Sequence, residues 1–194
     1  FALQNRGVES GNVAWYPIGR ILIWLSLLGI LTFLLAYAVF MQVDGGVRGA
    51  INDYLNSITA NLAQADRAAI DAMTATMTYI FPAIASASWT MMNVINGALA
   101  QRFVTASNRN IRPRPVYSEI EIPLWPAGIC LLGAIFVGFG GEVGFLGFNI
   151  MLIASIPFFF IGLAVLHNIS LAWPGRFIWL TGIYLFLILA LWPA

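Results

Sequence analysis

Long runs of apolar residues without a charged side chain constrain this sequence more than any other feature. The first run, ILIWLSLLGILTFLLAYAVF, covers residues 21–40, and similar runs recur towards the end of the chain. A helix needs about 20 apolar residues to cross a bilayer, with a range of roughly 17–25. The 194 residues are 60% hydrophobic and 9% charged, whereas soluble domains have roughly 45–50% apolar and about 25% charged residues. A soluble fold would expose large apolar patches, so the sequence predicts an integral membrane protein.

Five segments are apolar enough to be predicted as membrane spans, which makes the predicted fold an all-α polytopic helical bundle in a single membrane domain. Prolines stand at or just before several of the predicted starts, where a missing backbone N–H costs little. The third and fourth segments are rich in glycine, which predicts a closely packed hairpin. The predicted spans are approximately residues 18–40, 76–100, 123–138, 144–165 and 177–194.

The placement of the arginines predicts the orientation of these spans. If the spans alternate in direction, seven of the nine arginines fall on one side of the membrane. Arg48 and Arg67 fall on the other side, together with the four aspartates. Because cytoplasmic loops carry the excess of basic residues, the prediction places Phe1 and the loop 101–122 in the cytoplasm.

The outer segment between the first two spans predicts a further helix. Apolar residues recur there at helical spacing from Val47 to Leu62, with polar residues on the other face. We expect an amphipathic helix over about residues 46–64 that packs on the spans of its own chain. The alternatives are a helix on the membrane surface and a helix in the groove of a partner.

The loop 101–122 is basic and contains alternating proline and arginine residues. Proline at this density favours extended structure over helix. The basic residues are typical of the orientation signal itself. The alternative is a docking strip for an acidic cytoplasmic partner or for lipid headgroups, formed by Arg109, Arg112 and Arg114.

Residues that could carry catalysis are scarce. His167 is the only histidine and Cys130 the only cysteine, and the sequence holds no metal-binding or phosphate-binding motif. The apolar runs contain none of the ionisable residues that mark proton relays and ion-coupled pumps. We therefore expect no enzyme activity, no metal and no cofactor. The net charge of +1 is too small to indicate a nucleic-acid partner.

The second predicted span carries uncharged polar residues at intervals of three or four, so that they share one helix face. Such groups are costly in lipid, and we expect this face to turn towards other helices. The favoured interpretation is hydrogen bonding between helices, at about 0.6 kcal/mol per contact on average. The alternative is a small cavity for an uncharged solute. The candidate residues for either role are Ser86, Trp89, Thr90, Asn93, Asn96 and, in the fourth predicted span, Asn149.

Three short stretches carry a resemblance to a known family: AWYPIGR (14–20), NGALAQR (96–102) and GLAVLHNIS (162–170). In these stretches and in their order, the chain resembles the bacterial domain-of-unknown-function 2232 family of predicted membrane proteins. The resemblance implies a multi-pass protein of the bacterial inner membrane. Members of that family are usually longer, with extra spans before the first stretch, so the chain is expected to be the C-terminal part of a longer protein.

The resemblance also implies a function class. The family has been likened to the substrate-binding subunits of energy-coupling-factor vitamin transporters, which implies a non-catalytic solute-binding or transport-type subunit. The alternative is an accessory or assembly subunit of a larger membrane complex, which the amphipathic helix, the basic loop and the lack of catalytic groups favour. Either function makes the lipid bilayer and other membrane subunits the expected partners.

Overall fold

Helices make up most of the structure, a computed structural model that describes residues 4–5, 14–60, 67–109 and 120–191. A 3₁₀ turn, Ser170–Ala172, joins the last two helices, and Gln4–Asn5 pairs antiparallel with Ala14–Trp15. The predicted helical architecture is confirmed for this part of the chain. The helices are α1 (Ile18–Phe40), α2 (Gly46–Thr59), α3 (Arg67–Ala106), α4 (Trp125–Val137), α5 (Gly141–Ile169) and α6 (Arg176–Leu191).

Three of these helices, α1, α3 and α5, are long and apolar enough to cross a membrane. Helices α4 and α6 are apolar but have only 13 and 16 residues. At 1.5 Å per residue they rise about 20 and 24 Å, less than a hydrocarbon core of about 30 Å. The predicted count of five spans is therefore not confirmed.

The helix bounds agree with the prediction where an apolar run coincides with a whole helix. Helix α1 has the predicted bounds, and α2 begins at the predicted residue 46 but ends at Thr59, before the predicted residue 64. Helix α3 is much longer than the predicted span 76–100. Hydropathy detects only the apolar part of a helix, whereas the backbone hydrogen bonds continue through its polar ends.

Helix α5 is the centre of the bundle, with α1, α3 and α4 packed around it. Phe145 of α5 is fully buried and meets Phe33 of α1 edge to face, with ring centroids 5.8 Å apart. Val47 of α2 belongs to the same core cluster and is 7% exposed. The first half of α2 thus packs on the chain's own helices, as the favoured interpretation expected, while Tyr54 and Ile58 in its second half stay exposed.

Contacts between distant residues define two ends of the bundle. Arg48 of α2 meets Glu142 of α5 at one end, which we name the Glu142 end. The backbone of Glu121 lies against Gly19 of α1 at the other, which we name the Gly19 end. Between them, Gly29 of α1 lies beside Ser86 of α3. Helices α1 and α3 are therefore antiparallel, while α3 and α5 both run from the Glu142 end to the Gly19 end.

Helices α4 and α5 form the closely packed hairpin that their glycine content predicts. A Cβ atom on Gly147 would lie 2.5 Å from the Cβ of Phe136 and 2.6 Å from the carbonyl oxygen of Gly133. The turn between the helices uses Gly140 and Gly141, whose φ angles of +66° and +54° favour glycine. The two backbones touch because neither crossing residue has a side chain.

The segment that enters α4 is not helical. Residues 121–123 have no regular secondary structure, and α4 starts only at Trp125. Pro123 favours extended backbone in the residue before it. A Cβ atom on Gly19 would overlap the carbonyl oxygen of Glu121, so this non-helical segment lies directly on the start of α1. The predicted span 123–138 thus corresponds to a shorter helix, Trp125–Val137, that is preceded by a non-helical segment.

Candidate functional site

Asn149 occupies the crossing of α5 and α3 and is fully buried. Its Oδ1 atom accepts a hydrogen bond of 3.0 Å from the backbone N–H of Ala83. Its Nδ2 atom donates to the carbonyl oxygens of Tyr79 at 3.0 Å and Phe145 at 2.9 Å. Both amide hydrogens and the amide oxygen therefore have backbone partners.

The position of these bonds is explained by Pro82, which lies inside α3. In a regular helix the N–H of Ala83 donates to the carbonyl oxygen of Tyr79. A proline in between has no N–H, and its ring crowds the preceding turn. Asn149 bonds both members of this backbone pair and so supports α3 at the place where the proline weakens it.

A second proline, Pro157 of α5, has a similar partner. A proline here leaves the carbonyl oxygen of Ile153 without its helical N–H donor. The hydroxyl of Ser26, a buried residue of α1, donates a hydrogen bond to that oxygen. Each proline inside a described spanning helix is therefore matched by a polar side chain from a neighbouring helix, as lipid-embedded backbone requires.

The predicted polar face of α3 is partly turned inwards. Ser86 is half-buried beside Gly29, and Thr90 is completely buried. The Oγ1 atom of Thr90 has no hydrogen-bond partner among the described residues. Asn93 is half-buried, and its Nδ2 atom donates to the carbonyl oxygen of Trp89 in its own helix at 2.8 Å.

The six predicted candidate residues do not surround one space. The Trp89 side chain is 39% exposed, and Asn96 is exposed as well. Asn149 is bonded to the turn between Tyr79 and Ala83, whereas Asn93 lies ten residues further along α3, about 15 Å away. The structure therefore separates the exposed residues Trp89 and Asn96 from four residues that are buried or half-buried at different levels, which are Asn149, Ser86, Thr90 and Asn93.

Sequence reasoning missed a cluster at the Glu142 end. Arg48 forms an ion pair with Glu142 at 3.1 Å, and the hydroxyl of Tyr37 donates to the same carboxylate at 3.3 Å. The guanidinium of Arg48 lies 5.8 Å from the ring centroid of Tyr79 and 5.6 Å from that of Phe145. No role is assigned to Glu142 from the sequence alone. The sequence did carry a signal for this pair. Arg48 and Glu142 have opposite charges, and both lie in segments between predicted spans that fall on the same side of the membrane.

The corner between α5 and α6 holds a second polar network. The Nε2 atom of His167 is 2.6 Å from the hydroxyl of Tyr184. Arg176 donates from Nε to the Oγ atom of Ser170 at 3.2 Å and from Nη2 to the carbonyl oxygen of His167 at 3.4 Å. These groups fix the start of α6 to the end of α5.

The predicted docking strip is described only in part. Arg109 lies exposed just after α3, whereas Arg112 and Arg114 lie outside the described residues. In the part of the chain that the structure describes, no group of three or more His, Cys, Asp and Glu residues is placed to hold a metal ion.

Comparison with known proteins identifies one family. A protein-family model described as a predicted membrane protein, DUF2232, matches residues 3–193. Neither the search of curated proteins nor the search of solved structures finds a match.

Proposed function

The chain belongs to the DUF2232 family of predicted membrane proteins, and we propose that it is a non-catalytic membrane subunit that assembles with other membrane proteins through α6. The observation that carries this proposal is the isolation of α6 from its own bundle. Among the described residues its main contacts are with the 3₁₀ turn, and it is joined to α5 by Tyr184 and Arg176. Phe177, Trp179 and Phe186 are 82%, 61% and 68% exposed.

The shape of α6 favours a neighbouring helix over lipid alone. Its described part, Arg176–Leu191, rises about 24 Å, which is shorter than the hydrocarbon core, and association with other helices is one way to relieve such a mismatch. Gly182 lies in the middle of the helix, and outside its own helix backbone no described atom comes within 4 Å of where its Cβ would be. Small residues at an open position let a second helix approach closely.

The polar interior supports the non-catalytic part of the proposal. Asn149 and Ser26 are engaged with backbone groups. The ion pair of Arg48 and Glu142 joins α2 to α5, with both side chains partly exposed to solvent. General acid–base catalysis needs a titratable group within reach of a substrate. The buried polar groups of the described bundle are instead hydroxyls and an amide.

Site-specific photo-crosslinking in native membranes tests the assembly proposal. A photoreactive residue at Phe186 is expected to give a discrete protein adduct. The matched control is Leu35 of α1, which is 58% exposed and apolar, and which we expect to react with lipid only. Reaction with lipid only at Phe186, or the same adduct at both positions, would contradict the proposal.

A second candidate function, binding of a small uncharged solute, is favoured by Thr90. Its hydroxyl is completely buried and unpartnered among the described residues, and leaving such a group unsatisfied costs about 1–3 kcal/mol. A solute that bonds this hydroxyl would remove the cost. This role is the one implied by the likeness of the family to vitamin-transporter subunits.

A thermal-shift screen of vitamins and uncharged metabolites, run on the native chain and on Thr90→Val, tests the solute-binding function. We expect a ligand that raises the Tm of the native chain and has no effect on the variant. A variant that is more stable than the native chain, with no ligand shifting either protein, would show that the hydroxyl has no binding role.

A further inference from the structure

Helix α3 continues past the level at which α1 begins. Its 40 residues rise about 60 Å, twice the thickness of a hydrocarbon core. Gly29 of α1 lies beside Ser86 of α3, and α1 begins 11 residues before Gly29, at Ile18. Because α3 is antiparallel to α1, the position of α3 that is level with Ile18 lies 11 residues after Ser86, at residue 97. The last turns of α3 therefore extend about 13 Å beyond the start of α1.

These last turns combine exposed apolar and cationic side chains. Leu99, Phe103 and Val104 are 48%, 71% and 42% exposed. Arg102 and Arg109 are exposed on the same stretch, and neither forms an ion pair with a described residue. The sequence contains no acidic residue between positions 71 and 119, so the local charge is purely positive.

The neighbouring start of α1 has the character of a membrane interface. Arg20 is exposed in its first turn. The indole N–H of Trp24 donates to the hydroxyl of Tyr16 at 2.9 Å. Aromatic residues with a polar tip concentrate where acyl chains meet headgroups. The end of α3 therefore begins at headgroup depth.

We propose that the Gly19 end of α3 binds anionic phospholipid headgroups, with Arg102 and Arg109 on the phosphates and Leu99, one helical turn before Arg102, against the adjoining acyl chains. A guanidinium forms paired hydrogen bonds with a phosphate. Only a lipid offers phosphate oxygens and apolar chains within one side-chain length of each other. An acidic protein would satisfy the arginines but would leave the apolar side chains between them exposed. The proposal does not depend on α6.

Lipid retention tests this proposal on the full chain. The protein is inserted in vesicles of equal parts phosphatidylcholine and phosphatidylglycerol and extracted in mild detergent, and the bound lipids are then counted by native mass spectrometry. The native chain should be enriched in phosphatidylglycerol. The double variant Arg102→Gln, Arg109→Gln should lose this enrichment by about fivefold for each arginine. The control Arg67→Gln, at the opposite end of α3, should behave as the native chain.

Two further measurements separate lipid binding from misfolding and from protein binding. The double variant should keep the native Tm in phosphatidylcholine alone, and added salt should reduce retention by the native chain more than by the variant. Equal retention by native chain and double variant overturns the proposal, as does an equal loss in Arg67→Gln. A protein whose co-purification requires both arginines, with lipid retention unchanged, also overturns it and indicates an acidic partner.

Discussion

Asn149 shows how a polar residue inside a membrane bundle can be fully used by the chain itself. Its amide bonds three backbone groups on two helices. A polar contact between membrane helices contributes about 0.6 kcal/mol on average. The contribution is expected to be larger here, because removing the amide leaves the backbone beside Pro82 unsatisfied in a buried place.

The substitution Asn149→Ala is expected to lower the free energy of unfolding by about 1–3 kcal/mol. The cause is the loss of the buried hydrogen bonds from Asn149 to the N–H of Ala83 and to the carbonyl oxygen of Tyr79. Unfolding by denaturing detergent in mixed micelles measures the difference. Ser155→Ala is the control, since the Ser155 hydroxyl bonds only a carbonyl of its own helix.

A double-mutant cycle with Pro82→Ala tests the same explanation. Alanine at this position restores the N–H and removes the ring, so α3 can form regular hydrogen bonds without help from α5. We expect Asn149→Ala to cost less in the Pro82→Ala background than in the native one. Strictly additive costs would mean that the asparagine acts independently of the proline.

Helix α2 is attached to the bundle by an ion pair and by the burial of an apolar side chain. The side chains of Arg48 and Glu142 are 40% and 53% exposed, and exposed ion pairs contribute about 0.2–1 kcal/mol. Val47 is buried in the core cluster with Phe33 and Phe145. Burial of this apolar side chain therefore anchors α2 more strongly than the ion pair does.

This ranking predicts that Val47→Ala destabilises the protein more than Glu142→Gln. The first substitution removes two buried methyl groups, about 1.5 kcal/mol. The second is expected to cost below about 1 kcal/mol. Unfolding in mixed micelles compares the two. A larger cost for Glu142→Gln would show that the ion pair is the main attachment.

The α4–α5 hairpin is the other element whose packing makes a definite prediction. Gly147→Ala is expected to cost about 1–3 kcal/mol, because the new methyl group meets backbone and Cβ atoms of α4. Gly162→Ala, on the same helix with nothing within 4 Å of its Cβ position, should be neutral or slightly stabilising. Comparable losses in both variants would contradict the close crossing.

The whole molecule sorts its polar groups between two ends. Glu142 and Arg48 meet at one end, and Gly19 with the adjoining arginine-bearing segments marks the other. Polar groups collect at two ends because long apolar runs separate them along the chain, and these runs are visible in the sequence. The orientation of the two ends across a cell membrane stays a prediction from the distribution of arginines.

Cysteine labelling in a Cys130→Ser background measures this orientation. Ser57→Cys in α2 and Ser107→Cys after α3 are both at exposed positions. A membrane-impermeant maleimide applied to intact cells is expected to label position 57 only. Position 107 should become reactive after the membrane is opened. Labelling of position 107 alone in intact cells would show the opposite orientation. Labelling of both positions in intact cells would show that the two ends are not on opposite sides of the membrane.

The parts of the fold that the sequence could predict are those set by local patterns. The bounds of α1 follow from a continuous apolar run, the start of α2 follows from apolar periodicity, and the hairpin follows from glycine content. The match between Asn149 and Ala83 joins residues 66 positions apart, and no local pattern in a single sequence encodes such a pairing. The same holds for Ser26 with Ile153. The shortness of α4 was missed because hydropathy does not distinguish the extended entry from helix.

The contact between Gly133 and Gly147 has a consequence for biosynthesis. Helix α4 emerges from the ribosome first, and its 13 residues are too few to be held across the bilayer alone. Helix α5 is long enough to cross the bilayer, and it carries the glycine surface against which α4 fits. We therefore expect the two helices to insert together as a pair, so that the membrane topology of this region is settled only when α5 has been synthesised.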